Sequence, residues 1–232
     1  MTDNQPATLP IIAVDGTAAS GKGTLARSLS RKLSFAHMDT GALYRMVALR
    51  MIQNGRPAED EQAAIEFAQV MRRTFNPRQA IDPALMTDEV SKMTSRTSAF
   101  PAVRAEVLEV QREFGKNPPD LTDGRTARGA ILDGRDIGTV VFPDAAIKFF
   151  VTAQPETRAF RRFKELQKSG FMGTYDTVLA EMRERDERDA SRATAPMKPA
   201  ADAVILDTTS MSAAQVLDKA ATLIREKLGI SE

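Results

Sequence analysis

The chain of 232 residues has no cysteine and one histidine. Disulfides, thiolate metal sites and cysteine nucleophiles are excluded by the first absence. The second leaves little room for a histidine metal site or proton relay, and His37 is expected to be a strand residue without a chemical role. No charge sign dominates: the net charge is +1 at pH 7, so no global field draws in nucleic acid or an anionic membrane. No apolar run approaches the ~18 residues needed to span a bilayer. The opening segment, MTDNQPATLP, lacks the charged-then-apolar order of a secretory signal. A cytoplasmic protein is the expectation.

What remains is an ordinary globular composition, 42% hydrophobic and 27% charged, long enough for one substantial core. Arginine outnumbers lysine, 22 to 10. Guanidinium groups bind phosphate and carboxylate through two parallel hydrogen bonds, so the imbalance hints at a phosphorylated ligand.

Five short apolar runs read as strands: 11–14, 35–38, 130–132, 147–152 and 203–206. Amphipathic stretches at 23–33, 42–53, 60–72, 103–114, 155–167, 176–188 and 212–227 read as helices. Their alternation predicts βαβ units and a parallel sheet covered on both faces, with ligands at the carboxyl ends of the strands. Two segments break the alternation. Residues 74–98 carry Pro77 and Pro83 and look helical only in their last third. Residues 158–174 run from an arginine-rich helix end into KSGFMGT and read as a mobile flap.

Four stretches carry candidate chemistry. The first is GTAASGKGT: Gly16, Thr17, Ala18, Ala19, Ser20, Gly21, Lys22, Gly23 and Thr24. It follows a strand and opens a helix, the context in which backbone N–H groups cradle phosphates and a lysine bridges them. Gly23 stands where a magnesium-binding hydroxyl is usual, and the hydroxyl comes one place later. The second is HMDTGALYR. Asp39 or Thr40 there is either a plain helix cap or part of a second phosphate site with Tyr44 and Arg45. The third is AILDGRDIG, in which Asp133 ends a strand as a magnesium-orienting carboxylate does, and Arg135 and Asp136 follow. A surface ion-pair turn is the alternative. The fourth is RERDERDASR: Arg185, Asp189 and Arg192 recur at helical spacing, either on a solvated face or facing a cleft.

Taken together, these features resemble the cytidylate kinase family of nucleoside monophosphate kinases. The motifs DTGALYR, SAFPAVR, LDGRDIGTVVFPDA and RERDERDASRATAPMKPAADAVILDT carry the resemblance from about residue 11 to the C-terminus. It implies a P-loop α/β fold with five parallel strands in the order 2-3-1-4-5. It also implies a core of 1–72, 99–157 and 175–232, a monophosphate-binding insertion at 73–98 and a lid at 158–174. A small antiparallel sheet, present in the insertion of many members, is doubtful here. Residues 16–24 would hold ATP. Asp39, Thr40, Tyr44, Arg45, Ser95, Arg104, Arg135, Asp136, Arg185, Asp189 and Arg192 would hold CMP or dCMP, with Ser95, Arg104 and Asp136 reading cytosine. Lys22, Arg135, Arg185 and Arg192, with the lid arginines Arg158, Arg161 and Arg162, would stabilise phosphoryl transfer. Magnesium would be held mainly by ATP and water, oriented by Asp133 with help from Thr24. A monomer with no nucleic-acid or membrane partner is expected. The rival readings are a kinase of UMP or of a metabolite alcohol, and a non-enzymatic P-loop switch; the latter would want an Asn-Lys-x-Asp guanine reader, which the chain lacks.

Overall fold

A computed structural model describes residues 9–76, 82–168 and 170–229. The opening segment's first eight residues and Pro77 lie outside the described residues.

The elements run β1 (Ile11–Gly16), α1 (Lys22–Leu33), β2 (Ala36–Asp39), α2 (Thr40–Gln53), α3 (Glu61–Thr74) and a 3-10 turn (Pro83–Met86). Then come α4 (Asp88–Thr97), α5 (Pro101–Lys116), β3 (Ala130–Gly134) and a π turn (Ile137–Val141). β4 (Ile147–Thr152), α6 (Pro155–Lys168), α7 (Tyr175–Ser191), β5 (Val204–Asp207) and α8 (Ala213–Leu228) complete the chain. The strands form one sheet in the order β2-β3-β1-β4-β5. Every pairing is parallel.

The central strands are nearly continuous apolar runs because both faces are covered. In β1, Ile12 and Val14 face one side, against Leu25 and Leu29 of α1 and Val216, Ala220 and Ile224 of α8. Ala13, between them, joins the opposite core with Leu43, Val47 and Met51 of α2 and Val103, Val107 and Phe114 of α5. At the sheet edge β5 leaves Ile205 half exposed. A third, smaller cluster holds α6 to α7 through Ala159, Leu166, Val178 and Met182, with Ala18 and Ala19 packed against it. Helices α6 and α7 thus have their own apolar joint, seated on the loop after β1.

Capping explains where several helices start. Asp60, Thr87, Thr174 and Ser212 each accept the backbone N–H that opens their helix. Pro101 starts α5, where its fixed φ suits the first turn. The insertion is more helical than its prolines suggest. Residue 73 lies in the last turn of α3, Asp82 caps the 3-10 turn at Pro83, and Thr87 opens ten residues of α4. Among its described residues there is no strand. The flap 158–174 begins inside α6 and ends at the cap of α7, so it is largely a helix end. No described helix is long and apolar enough to cross a membrane.

Candidate active site

The carboxyl ends of β1, β2 and β3 meet the N-termini of α1 and α2, and the site grows from there. Gly16 ends β1 at φ 149, and a Cβ there would stand 2.0 Å from the Val151 carbonyl oxygen, so only glycine passes. Ala19 (φ 55) and Gly21 (φ 92) then bend the chain through left-handed conformations into α1. The loop carbonyls are taken up from outside. Ser20 Oγ donates to Thr17 O at 2.9 Å, Arg158 Nη1 to Ala18 O at 3.3 Å, and Thr208 Oγ1 to Ser20 O at 2.8 Å. With its acceptors engaged, the loop keeps its N–H donors for an anion at the helix start.

Lys22 is the first residue of α1. Crowding by the surrounding protein, then the neighbouring Arg135 charge, pushes its ammonium down to about 7. It lines a cleft of about 400 Å³ with Arg45, Arg135, Arg162, Arg185 and Arg188. Burial, and next Arg135, lowers the Arg185 guanidinium to about 10. Arg45 Nε, Arg185 Nε and Arg192 Nη2 are buried without a hydrogen-bond partner. So many cations with unspent donors gain most from a polyanion bound among them.

The carboxylates around them are each tied down. Asp39 Oδ2 accepts from Arg45 Nη2 at 2.5 Å. Burial would raise Asp39, but Arg45 and Lys22 hold it below its ordinary value. It makes no capping bond to α2. Thr40 is buried and spends its hydroxyl on the Asp133 carbonyl at 2.8 Å, which ties α2 to β3. Asp189 accepts from Arg135 Nε at 3.1 Å, and Arg192 stands 3.7 Å away. Burial opposes ionisation there too, and Arg135, Arg185 and Arg192 overcome it. Of the fourth stretch, then, Arg185 faces the cleft, Asp189 pairs with Arg135, and Arg192 pairs in turn with Asp189.

Beside this anion site lies a buried pair. Arg104 Nη2 meets Asp136 Oδ2 at 2.6 Å, both side chains being under a tenth exposed. The Arg104 guanidinium also sits 5.4 Å from the centre of the Tyr44 ring. Burial raises the Tyr44 phenol to about 12. Ser95, from α4, lines the cleft and accepts from Arg188 Nη2 at 3.2 Å. Arg188 was not singled out by the sequence, although its i+3 spacing from Arg185 puts it on a neighbouring position of the same helix face.

Arg158, Arg161 and Arg162, expected as lid arginines, diverge. Arg162 lines the cleft, 3.8 Å from Asp88. Arg158 is buried, donating to Ala153 O and Ala18 O and pairing with Asp186 at 2.7 Å. Arg161 donates to the Thr208 hydroxyl and carbonyl. It borders a second cavity of about 400 Å³, lined also by Ser20, Gly21, Thr24 and Val216.

His37 lies in β2, as expected, and its Nε2 is 2.7 Å from Asp133 Oδ1. That fixes one carboxylate oxygen. The other lies 3.5 Å from where a Cβ on Gly23 would stand, in ordinary contact distance. Space therefore does not demand glycine at 23. One fixed carboxylate beside the helix start fits magnesium held by nucleotide phosphates and water. Thr24 is exposed on the same turn. Among the described residues no group of three acidic, histidine or cysteine side chains could hold an ion without the nucleotide.

Comparison with known proteins places this arrangement. The sequence profile of the cytidylate kinase family matches residues 12–226. A cytidylate kinase of Rhodospirillum rubrum is 50% identical over 217 residues, covering 94% of this chain and 98% of that protein. One from Paramagnetospirillum magneticum is 46% identical over 217 residues, with the same coverage of each. One from Pasteurella multocida is 40% identical over 230 residues, covering 95% of this chain and 97% of its own.

Proposed function

The chain belongs to the cytidylate kinase family, and from that premise and the geometry above we propose how it transfers the terminal phosphate of ATP to CMP or dCMP, giving ADP and CDP or dCDP. The observation that carries this reading is the cationic cleft with buried, unpaired guanidinium nitrogens, placed between the loop of 16–24 and the Arg104–Asp136 pair.

No catalytic base is required. The acceptor is a phosphate oxygen already ionised at neutral pH. The obstacle is to bring two polyanions into line and to stabilise the charge spread over the transferring group. Residues 16–24 hold the donor phosphates, with Lys22 against the outer ones. Arg45 and Arg135 take the acceptor phosphate, and Arg185 and Arg162 close on the transferring group. Asp189 keeps Arg135 aimed, and Arg192 is held against Asp189 at the edge of the acceptor phosphate. Arg158 acts from beneath, bracing the loop through the Ala18 carbonyl, and Arg161 borders the donor's base and sugar. Charge on the donor phosphates is neutralised by magnesium when it is bound, with Asp133 and Thr24 the residues that would hold its water shell. The lid helices exclude water that would otherwise hydrolyse ATP.

Acceptor choice has a donor–acceptor logic. Arg104 donates and Asp136 accepts, side by side and buried. Cytosine offers the complement, a ring nitrogen acceptor next to an amino donor. Uracil offers a carbonyl where Asp136 expects a donor. The hydroxyl of Ser95 stands at the same edge, and Thr40 and Tyr44 shape the wall. ATP and CMP are metabolites of the cytoplasm, and that chemistry supports reading the enzyme as a cytoplasmic monomer. The test is phosphorus NMR of the purified protein with ATP, magnesium and CMP. CDP and ADP should appear in equal amounts, and loss of ATP to free phosphate alone would refute transfer.

A further inference from the structure

Asp15 is the last residue but one of β1, the central strand, and its carboxylate is buried. Its two oxygens are both used. Oδ1 accepts the Ile137 N–H at 2.8 Å and Oδ2 accepts the Gly138 N–H at 2.7 Å. These N–H groups open the π turn directly after Arg135 and Asp136. We propose that Asp15 is a positioning residue that fixes the turn carrying Arg135 and Asp136, and so contributes to the choice of cytosine over uracil.

Several features support a clasp built for position. Burying a carboxylate is unfavourable, and here burial raises Asp15 to about 7 against the pull of its two N–H donors. An apolar residue in its place would leave the Ile137 and Gly138 N–H groups without an acceptor, so the buried carboxyl is kept for what it holds. The turn has no slack. Ile137 is fully buried in the core, and a Cβ on Gly138 would meet the Lys148 stem at 3.0 Å and Asp15 Oδ2 at 3.4 Å. The facing ionisable groups are Asp136 and Arg135 on the turn, while the Lys148 ammonium is drawn off to Asp202 at 2.8 Å. On its other side Asp15 adjoins Gly16, where the phosphate loop begins. One side chain thus registers the acceptor-reading turn against the donor loop, the relation that in-line transfer needs.

The inference rests on the reading of Asp136 as the base-reading acceptor, and the experiment separates the two. Asp15→Asn keeps the shape but has one acceptor oxygen for two N–H groups. Its kcat/KM for CMP and for UMP is measured beside Asp136→Ala and the parent enzyme, with KM for ATP. The expected result is a fall of about fivefold or more in the CMP-to-UMP ratio for Asp15→Asn, with KM for ATP within about twofold. A merely structural role would lower both acceptors alike. If Asp136→Ala loses the ratio and Asp15→Asn keeps it, the clasp is overturned and the base reading stands. If Asp136→Ala also keeps it, the base reading fails and the proposal with it. A raised KM for ATP with an unchanged ratio overturns it too, assigning Asp15 to the donor loop. Should Asp15→Asn not fold, Asp15→Glu keeps both acceptor oxygens but moves them by one methylene against the same N–H groups; the same fall supports the clasp and an unchanged ratio overturns it.

Discussion

Single residues in this cleft act by charge and by donor count. Asp136→Ala removes an acceptor that CMP uses and UMP does not. A mismatched or missing buried hydrogen bond is worth about 1–3 kcal/mol, so kcat/KM for CMP should fall about ten- to a hundredfold more than for UMP. Equal losses would remove the base-reading role. Lys22 supplies a pH prediction. Its ammonium is held down to about 7, so near pH 8 the empty enzyme carries it mostly neutral. Phosphates beside it favour the charged form, and binding should take up as much as about one proton. Calorimetry of ATP binding at pH 8 in buffers of different ionisation enthalpy reads that uptake directly; none would contradict a lowered Lys22 that meets the phosphates. At this scale the sequence was uneven. The residues of its four stretches could be named because each stretch is contiguous. The partners that fix them are remote: His37 meets Asp133 across 96 residues, Asp15 meets Ile137 across 122, and Arg158 meets Ala18 across 140. Nothing local in the chain announces such pairs.

Elements were more legible, because apolar runs and helical periodicity are local properties. β4 has the bounds its composition suggests, and α2 opens two residues earlier than its apolar pattern because Thr40 is drawn in by the β3 carbonyl. The 3-10 turn at Pro83–Met86 was hidden by a proline that reads as a breaker but starts a turn well. The joint between β1 and the turn after β3 yields an element-scale test. Asp15 is raised above its ordinary value, so between about pH 4 and 7 the folded state holds a proton that the unfolded chain releases. Its contribution to stability therefore declines as pH rises through that window. Urea unfolding should show the stability of the parent protein, relative to Asp15→Asn, shrinking from pH 5 to pH 8. A difference that grows instead would contradict the buried carboxylate. The start of the phosphate loop is equally constrained: Gly16→Ala forces a Cβ into the Val151 carbonyl and should cost several kcal/mol or prevent folding, which thermal unfolding would show.

At the scale of the whole molecule, α4 and α7 meet beside the cleft. Lys92 of α4 bridges Asp88 and Glu181 of α7, and Arg188 of α7 reaches Ser95 of α4. These contacts are largely exposed, and such ion pairs contribute about 0–1 kcal/mol each. The contacts between α4 and α7 are therefore individually weak. Net charge is close to neutral, yet the cationic side chains converge on one cleft; composition hinted at this through its arginines, and only the fold shows where they gather. The most direct measurement of the central claim is ADP release by the purified protein with ATP and magnesium across a panel of nucleoside monophosphates. The account predicts the highest kcat/KM for CMP or dCMP, with UMP lower by about ten- to a hundredfold. Best turnover with any other acceptor, or no turnover at all, would contradict it.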